Sequence, residues 1–182
     1  MTATKITTTK EREHSAYEKM REAFHYKNRM QAPRIVKLSL SVGTGKAKDP
    51  KRNDFIVDRL AKITGQKPSI RGAKQSIASF KVREGDPIGV AGTLRGMRAR
   101  KFLDKIINIA IPRMKDFRGL SKNGIDEIGN YTFGIKEHTI FTETSNEDLK
   151  DVFGFAITVV TTAKNKKEAE AFLEVLGFPF KK

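Results

Sequence analysis

Apolar and polar positions alternate with two different periods along this chain, and the switches between them lay out its elements. Over positions 35–42 the period is two. Leu38, Leu40 and Val42 point one way and Lys37, Ser39 and Ser41 the other, which predicts a strand buried on one face. Positions 88–95 repeat the pattern, with Ile88, Val90 and Leu94 inward and Gly89, Ala91, Thr93 and Arg95 outward. Shorter β segments are predicted at 68–71, 77–83, 131–135 and 138–143, and the β-branched run 155–162 predicts another strand.

Between these lie stretches of helical period. Thr8 and Glu11 have the spacing of a capping box, and Tyr17, Met20 and Phe24 form the stripe of an N-terminal helix expected over 10–30, before Pro33. Positions 1–9 are expected to be a disordered tail. Asp49 and Pro50 read as N-cap and first turn of a helix carrying Ile56, Leu60 and Ile63, which Gly65 closes. A further helix is expected from Met97 until Pro112 ends or kinks it. Positions 116–130 hold Gly119, Gly124 and Gly129 and read as a structured loop. Asn165 and Glu168 then cap a last helix with Ala169, Phe172 and Leu176 inward and Gly177 at its end. The order of elements predicts an α+β fold. It consists of a mostly antiparallel sheet with helices packed on one face plus the N-terminal helix, in a single domain over 1–182.

Charge changes the picture next. Thirty-six Lys and Arg against 21 Asp and Glu give +15 in 182 residues. Such an excess repels itself in a compact fold and points to a polyanionic partner, foremost a phosphate backbone. There is no cysteine, which excludes disulfides, thiolate nucleophiles and Cys-based zinc sites. Apolar runs such as 106–111 are too short to span a bilayer, and the Thr-rich start lacks the apolar core of a secretory signal. A cytoplasmic protein is expected.

Candidate chemistry is sparse. Gly43-Thr44-Gly45-Lys46 follows a strand, yet Lys48 stands where a dinucleotide fingerprint needs its third Gly. For a P-loop, Leu40 replaces the first Gly and Ala47 the Ser or Thr after the Lys, so a tight turn is the better reading. His14, His25 and His138 lack metal-ligand spacing and read as solvated surface residues. Glu137, His138 and Glu143 are scattered by strand alternation, and Asp126 and Glu127 are neighbours that point apart. No enzyme, metal site or cofactor is expected.

Two constellations carry the functional signal. The outward positions Lys37, Ser39, Ser41, Gly89, Ala91, Thr93 and Arg95 are small, hydroxylic or basic. Sharing a sheet, they would let another backbone approach and pair hydroxyls with ribose 2′-OH groups. There is no Trp, and most Phe residues fall at buried-looking positions, so an aromatic stacking platform is not expected. Structured RNA suits such a face better than extended single strands. The second constellation is the basic loop 71–83, with Arg71, Gly72, Lys74, Gln75, Ser76, Lys81 and Arg83. It reads equally well as a phosphate-gripping finger and as a solvated hairpin tip.

A set of motifs then occurs in order: Gly65-Gln66-Lys67-Pro68, the loop 73–83, Pro87-Ile88-Gly89, Thr93-Leu94-Arg95-Gly96, Ile111-Pro112-Arg113-Met114-Lys115-Asp116-Phe117-Arg118-Gly119-Leu120-Ser121, Gly129-Asn130-Tyr131, the run 155–164, and Gly177-Phe178-Pro179-Phe180. Together they resemble the bacterial form of the family of large-subunit ribosomal protein number five, from Tyr17 to the C-terminus. The resemblance implies a ribosome-bound protein of the central protuberance that binds 5S rRNA and touches 23S rRNA and neighbouring large-subunit proteins. It also implies contact with peptidyl-site tRNA through the loop 71–81, by Arg71, Lys74, Gln75, Ser76 and Lys81, and a bridge to a small-subunit head protein. The family's Gln and Thr for rRNA hydrogen bonding map onto Gln66 and Thr93, beside Lys37, Ser39 and Arg95 on the open face. The family's Asn is Ser41 here, a shorter hydroxyl, and Gln75 stands where a basic residue is often found. The alternative from another class is a free RNA-binding processing or regulatory factor.

Overall fold

The computed structural model describes residues 8–45, 50–115, 117–145 and 152–181. Helices α1 (Thr9–Phe24), α2 (Pro50–Thr64), α3 (Gly96–Lys105), α4 (Ile111–Arg113) and α5 (Lys166–Leu176) accompany strands β1 (Ile35–Gly43), β2 (Ser69–Gly72), β3 (Pro87–Arg95), β4 (Tyr131–Ile135) and β5 (Phe155–Thr161). The strands form one sheet in the order β2-β3-β1-β5-β4. The fold is α+β, with an antiparallel sheet and the expected N-terminal helix. By its internal packing the chain divides into two compact units. The first holds residues up to Leu38, Arg95–Phe133 and residues from Thr158 onward; the second holds Ser39–Leu94 and Gly134–Ile157. Among the described residues, no helix is long and apolar enough to cross a membrane.

In the first unit, helix α1 starts at the expected box: the Glu11 amide donates to Thr8 Oγ1 and the Thr8 amide to Glu11 Oε2. Thr9 is therefore helical and not part of a tail, and the helix stops at Phe24 instead of reaching 30, with His25 left-handed at its C-cap. A separate 3-10 turn, Arg29–Gln31, leads into Pro33. Helix α1 packs on α5 and α3. Glu13 is the clasp: its carboxylate accepts from Arg100 Nε at 2.6 Å and from the Ile35 amide at 3.2 Å, joining α1, α3 and β1. The Asp104 carboxylate accepts from the Thr9 amide at 2.6 Å, and Arg12 donates to the Leu176 carbonyl at 2.6 Å.

The helical rod after β3 continues past α3 because Ile106–Ala110 widens into a π turn, in which the Ile111 amide reaches back to the Ile106 carbonyl. Pro112 has no amide and its ring crowds the carbonyl four residues earlier, so a widened turn just before it relieves a clash that a regular helix would carry. The rod ends at Arg113, right after the proline. Helix α5 is capped by Asn165, whose Oδ1 accepts from the Glu168 amide at 2.9 Å, and closed by Gly177 at φ +91°. Glu168 reaches back one residue further than a capping box requires, accepting from the Lys164 amide at 2.7 Å and from the Tyr26 hydroxyl.

The alternation of β1 holds: Leu38, the last β1 residue of the first unit, and Leu40 and Val42 in the second unit are buried. Helix α2 buries Ile56, Leu60 and Ile63 and ends at Gly65, which adopts φ +71°. Asp49, expected as its N-cap, lies outside the described residues. Strand β2 pairs antiparallel with β3, placing Ser69 opposite Ala91 and Arg71 opposite Gly89. Two predicted strands are absent as strands. Segment 77–83 is a single bridge, Ile77 to Val82, around a 3-10 turn at Ala78–Phe80. Segment 138–143 is a pair of 3-10 turns, His138–Ile140 and Thr142–Thr144. Both are too short and too tightly turned to pair along a ladder.

His138 departs from expectation in burial as well. It is fully buried, stacked on Phe153 with ring centroids 4.2 Å apart, and edge-on to Phe55. A flat ring in an aromatic cluster is a packing role, and the neighbouring Thr144 hydroxyl donates to the His138 carbonyl at 2.8 Å.

Tyr131 gives the first unit a pH response. Its ring sits among Phe133, Phe178 and Phe180, its hydroxyl donates to the Ser121 carbonyl at 3.2 Å, and burial pushes the phenol up from 10.0 to about 12. The unfolded chain then loses this proton first, so the stabilisation is complete below pH 10 and is lost as pH rises towards 12. Tyr131→Phe is expected to cost about 1 kcal/mol at neutral pH through the orphaned carbonyl. It should also flatten the alkaline fall in stability, which urea titrations from pH 8 upward would follow. An equally steep fall in the variant would remove Tyr131 from the account.

Candidate nucleic-acid interface

In the second unit, the strand positions opposite the core build a surface of small side chains. Ser39 and Ser41 on β1, Ala91 and Thr93 on β3 and Ser69 on β2 are all at least partly exposed. Ser69 donates its hydroxyl to the Ala91 carbonyl at 3.2 Å, which seats β2 on β3. Gln66, just beyond α2, donates from Nε2 to the Thr93 carbonyl at 3.0 Å. The two residues assigned to rRNA by resemblance, 27 positions apart, are thus brought together. That bond holds the amide against β3, so a partner meets a fixed group and does not have to order it on binding.

Gly89 behaves differently from its neighbours. It is buried, and a Cβ there would lie 2.8 Å from the Val42 carbonyl oxygen. It serves the close approach of β1 and β3 and offers no surface. Two further members of the face escape a reading of the sequence: Gly134 on β4 is exposed and Ala156 on β5 is half-buried, each alternating with buried Phe133, Ile135, Phe155 and Ile157. The period of two at Tyr-Thr-Phe-Gly-Ile and Phe-Ala-Ile-Thr is the signal that could have found them.

The remaining predicted rRNA residues belong to the first unit. Lys37 is half-buried on β1, and Arg95 is exposed at the N-cap of α3, followed by Gly96 at φ +57°. The same unit carries a hydroxyl pair, Thr132 and Thr158, whose Oγ1 atoms lie 3.0 Å apart.

The basic loop is a built structure. The Ala73 amide donates to the Asp86 carbonyl at 2.9 Å and the Gly85 amide to the Ala73 carbonyl at 3.0 Å, closing its base. Asp86 Oδ2 accepts from the Arg83 amide at 2.8 Å, and Ser76 Oγ accepts from the Glu84 amide at 2.9 Å. At the tip Ile77 and Val82 bond to each other, and Lys81 takes the left-handed conformation at φ +52°. Arg71, Lys74, Gln75, Ser76 and Lys81 are all exposed. Beside the loop opens a groove of about 1560 Å³, with Ile56 and Ile88 among its lining and Arg52, Lys74 and Lys81 as its cations. Its walls are partly apolar and its charge is positive.

Among the described residues, no group of three or more His, Asp or Glu lies close enough to share a metal ion. A model described as ribosomal protein L5 matches residues 28–83, and a model of the C-terminus of the same ribosomal family matches residues 87–180. The chain belongs to the ribosomal protein L5 family. It is 51% identical over 162 residues to the large ribosomal subunit protein uL5 of Thermoanaerobacter sp. (strain X514), covering 88% of this chain and 90% of that one. The protein of the same name from Streptomyces griseus is 51% identical over 164 residues, covering 90% and 89%, and that from Corynebacterium diphtheriae 50% over 165, covering 90% and 88%. Members of the ribosomal protein L5 family are structural components and not enzymes.

The glycines of the second unit test whether the sheet geometry is as tight as it looks. Gly89→Ala is expected to destabilise by about 1–3 kcal/mol, because the added methyl meets backbone and the two strands must part. At Gly134 a Cβ meets nothing within 4 Å, so Gly134→Ala should be neutral or slightly stabilising. Urea midpoints of the two variants measure the contrast, and equal midpoints would show that β1 and β3 have room to spare.

Proposed function

We propose that this protein is a structural constituent of the large ribosomal subunit that binds 5S rRNA through the open face of its sheet. The observation that carries this is the face itself: hydroxyls and methyls of Ser39, Ser41, Ser69, Ala91 and Thr93, with the Gln66 amide fixed alongside. A-form RNA presents a wide, shallow minor groove lined with 2′-hydroxyls, and short polar side chains on a sheet meet it closely where long ones would hold it off. The charge of +15 supplies the attraction that such small groups lack. Family membership supports placing the protein in the bacterial cytoplasm on the ribosome, at the central protuberance. There it would also touch 23S rRNA, neighbouring large-subunit proteins and a small-subunit head protein.

Thr93→Arg tests the face. A long cation mid-strand keeps the charge and adds a phosphate donor, yet it props the RNA away from the sheet, so 5S rRNA affinity is expected to fall at least about tenfold. Lys62→Ala, on the solvent side of α2, removes one charge and should cost a small fraction of that. Filter binding of the purified variants to a 5S rRNA transcript reads both numbers. Equal losses would mean that charge alone, and not the face, binds the RNA.

The loop is assigned to peptidyl-site tRNA in the same proposal, on its exposed Arg71, Lys74, Gln75, Ser76 and Lys81. Lys74→Ala combined with Lys81→Asn removes two cations while keeping a residue that tolerates the left-handed conformation at position 81. Ribosomes reconstituted with this double variant are expected to assemble, to retain 5S rRNA and to release peptidyl-site tRNA several-fold faster. Unchanged release with normal assembly would make the loop a solvated hairpin tip.

A further inference from the structure

Of the twelve phenylalanines, Phe80 alone is exposed among the described residues, at 72%. The others face the core or are half-covered by it. A scattered apolar side chain on a surface ordinarily needs no explanation. Three features set Phe80 apart from that case.

The first is its mounting. The Phe80 amide donates to the Ile77 carbonyl at 3.3 Å and the Lys81 amide to the Ala78 carbonyl at 3.0 Å, inside the bridge between Ile77 and Val82. The ring therefore projects from a hydrogen-bonded turn closed by a left-handed lysine, a conformation that costs energy for any residue with a side chain. The second is its company. Ile77 is itself 44% exposed beside it, so the tip presents an apolar surface and not an isolated ring. The third is the field. Arg71, Lys74, Lys81 and Arg83 are exposed in the loop against one exposed acid, Glu84, while Asp86 accepts from the Arg83 amide.

We propose that Phe80 is a stacking residue for a nucleobase of structured RNA, with the flanking cations holding the adjoining phosphates. An aromatic ring that shares a groove with Lys74 and Lys81 matches the two chemical halves of a nucleotide, a flat π-face and an anionic backbone. A protein partner with an apolar contact would gain nothing from the surrounding positive charge. The groove beside the tip, with Ile77, Phe80 and Ile88 among its lining, offers such a base an apolar seat. The inference deepens the assignment of this loop to tRNA, and it rests on that assignment for the identity of the RNA.

The test uses ribosomes reconstituted with the full chain carrying Phe80→Ala, Phe80→Leu or Phe80→Tyr, and reads deacylated tRNA release. Loss of a stacked base corresponds to about tenfold faster release for Ala and for Leu, with Tyr close to the native rate. Thermal melting and 5S rRNA affinity of all three should match the parent, since the ring is 72% exposed. Faster release for Ala with a native rate for Leu would overturn the proposal, because an apolar contact would then suffice. If the Lys74 and Lys81 double variant releases tRNA faster and the Phe80 variants do not, stacking fails while the tRNA assignment stands. A photoreactive benzoylphenylalanine at position 80 separates the remaining outcomes. Crosslinking to a tRNA base supports both readings; crosslinking to an rRNA base supports stacking and overturns the tRNA assignment; crosslinking to protein alone overturns stacking.

Discussion

A chain with 36 cationic and 21 anionic side chains must fold against its own repulsion, and the way it deploys the scarcer sign governs the rest. Several of its carboxylates act as local fasteners. Glu13 holds Arg100 and the Ile35 amide, Asp104 holds the start of α1, and Glu168 holds Tyr26 and the Lys164 amide. Asp126 pins its own turn through Asn130, and Asp86 closes the basic loop through the Arg83 amide. Each such bond, charged acceptor to amide or guanidinium, contributes roughly 1.5–3 kcal/mol where solvent is kept away and less at the surface. These acids stabilise the fold locally, and the cations that outnumber them leave the protein with a net charge of +15 for a polyanion.

The second consequence concerns the sheet. A face meant for RNA cannot also be tiled with lysines, because long side chains would hold the sugar edges out of hydrogen-bonding reach. Charge and contact are accordingly placed apart in the second unit: cations on the loop and at the groove rim, hydroxyls and methyls on the strands. In the proposed function the charges draw the RNA in from a distance, within about 10 Å at ordinary salt, and the small residues decide what fits once it arrives.

Period and capping chemistry made much of this legible. The alternation of β1 named its buried and open faces residue by residue, and Thr8 with Glu11, Gly65, and Asn165 with Gly177 marked real helix ends. Motif order identified the family, and the Gln66 and Thr93 it pointed to are hydrogen-bonded neighbours. What stayed hidden is what depends on tertiary context. His138 looks like any surface histidine in one dimension, and only the fold brings Phe55 and Phe153 against it. Segment 77–83 has the composition of a strand, but a left-handed Lys81 turns it back on itself within a single bridge. Gly89 fits the outward pattern, yet the approach of Val42 buries it. Phe80 is hidden for the converse reason: an aromatic residue is expected inside, and no periodic pattern surrounds it to show otherwise.

That last case bears on how the loop works. A flexible cationic loop would bind any phosphate and would lose conformational freedom on doing so, which weakens each contact it makes. Here the base of the loop is closed by paired amides, Ser76 and Asp86 lock its sides, and the tip is a single bonded turn. The ordering of this backbone is completed during folding. In the proposed function, a ring and cations carried on a set backbone select a nucleotide by its geometry, where loose charges would only report the presence of phosphate. The short polar sheet and the rigid loop are two answers to the same problem. In the proposed function, each lets a strongly basic protein discriminate among RNAs by shape, when charge alone would bind them all.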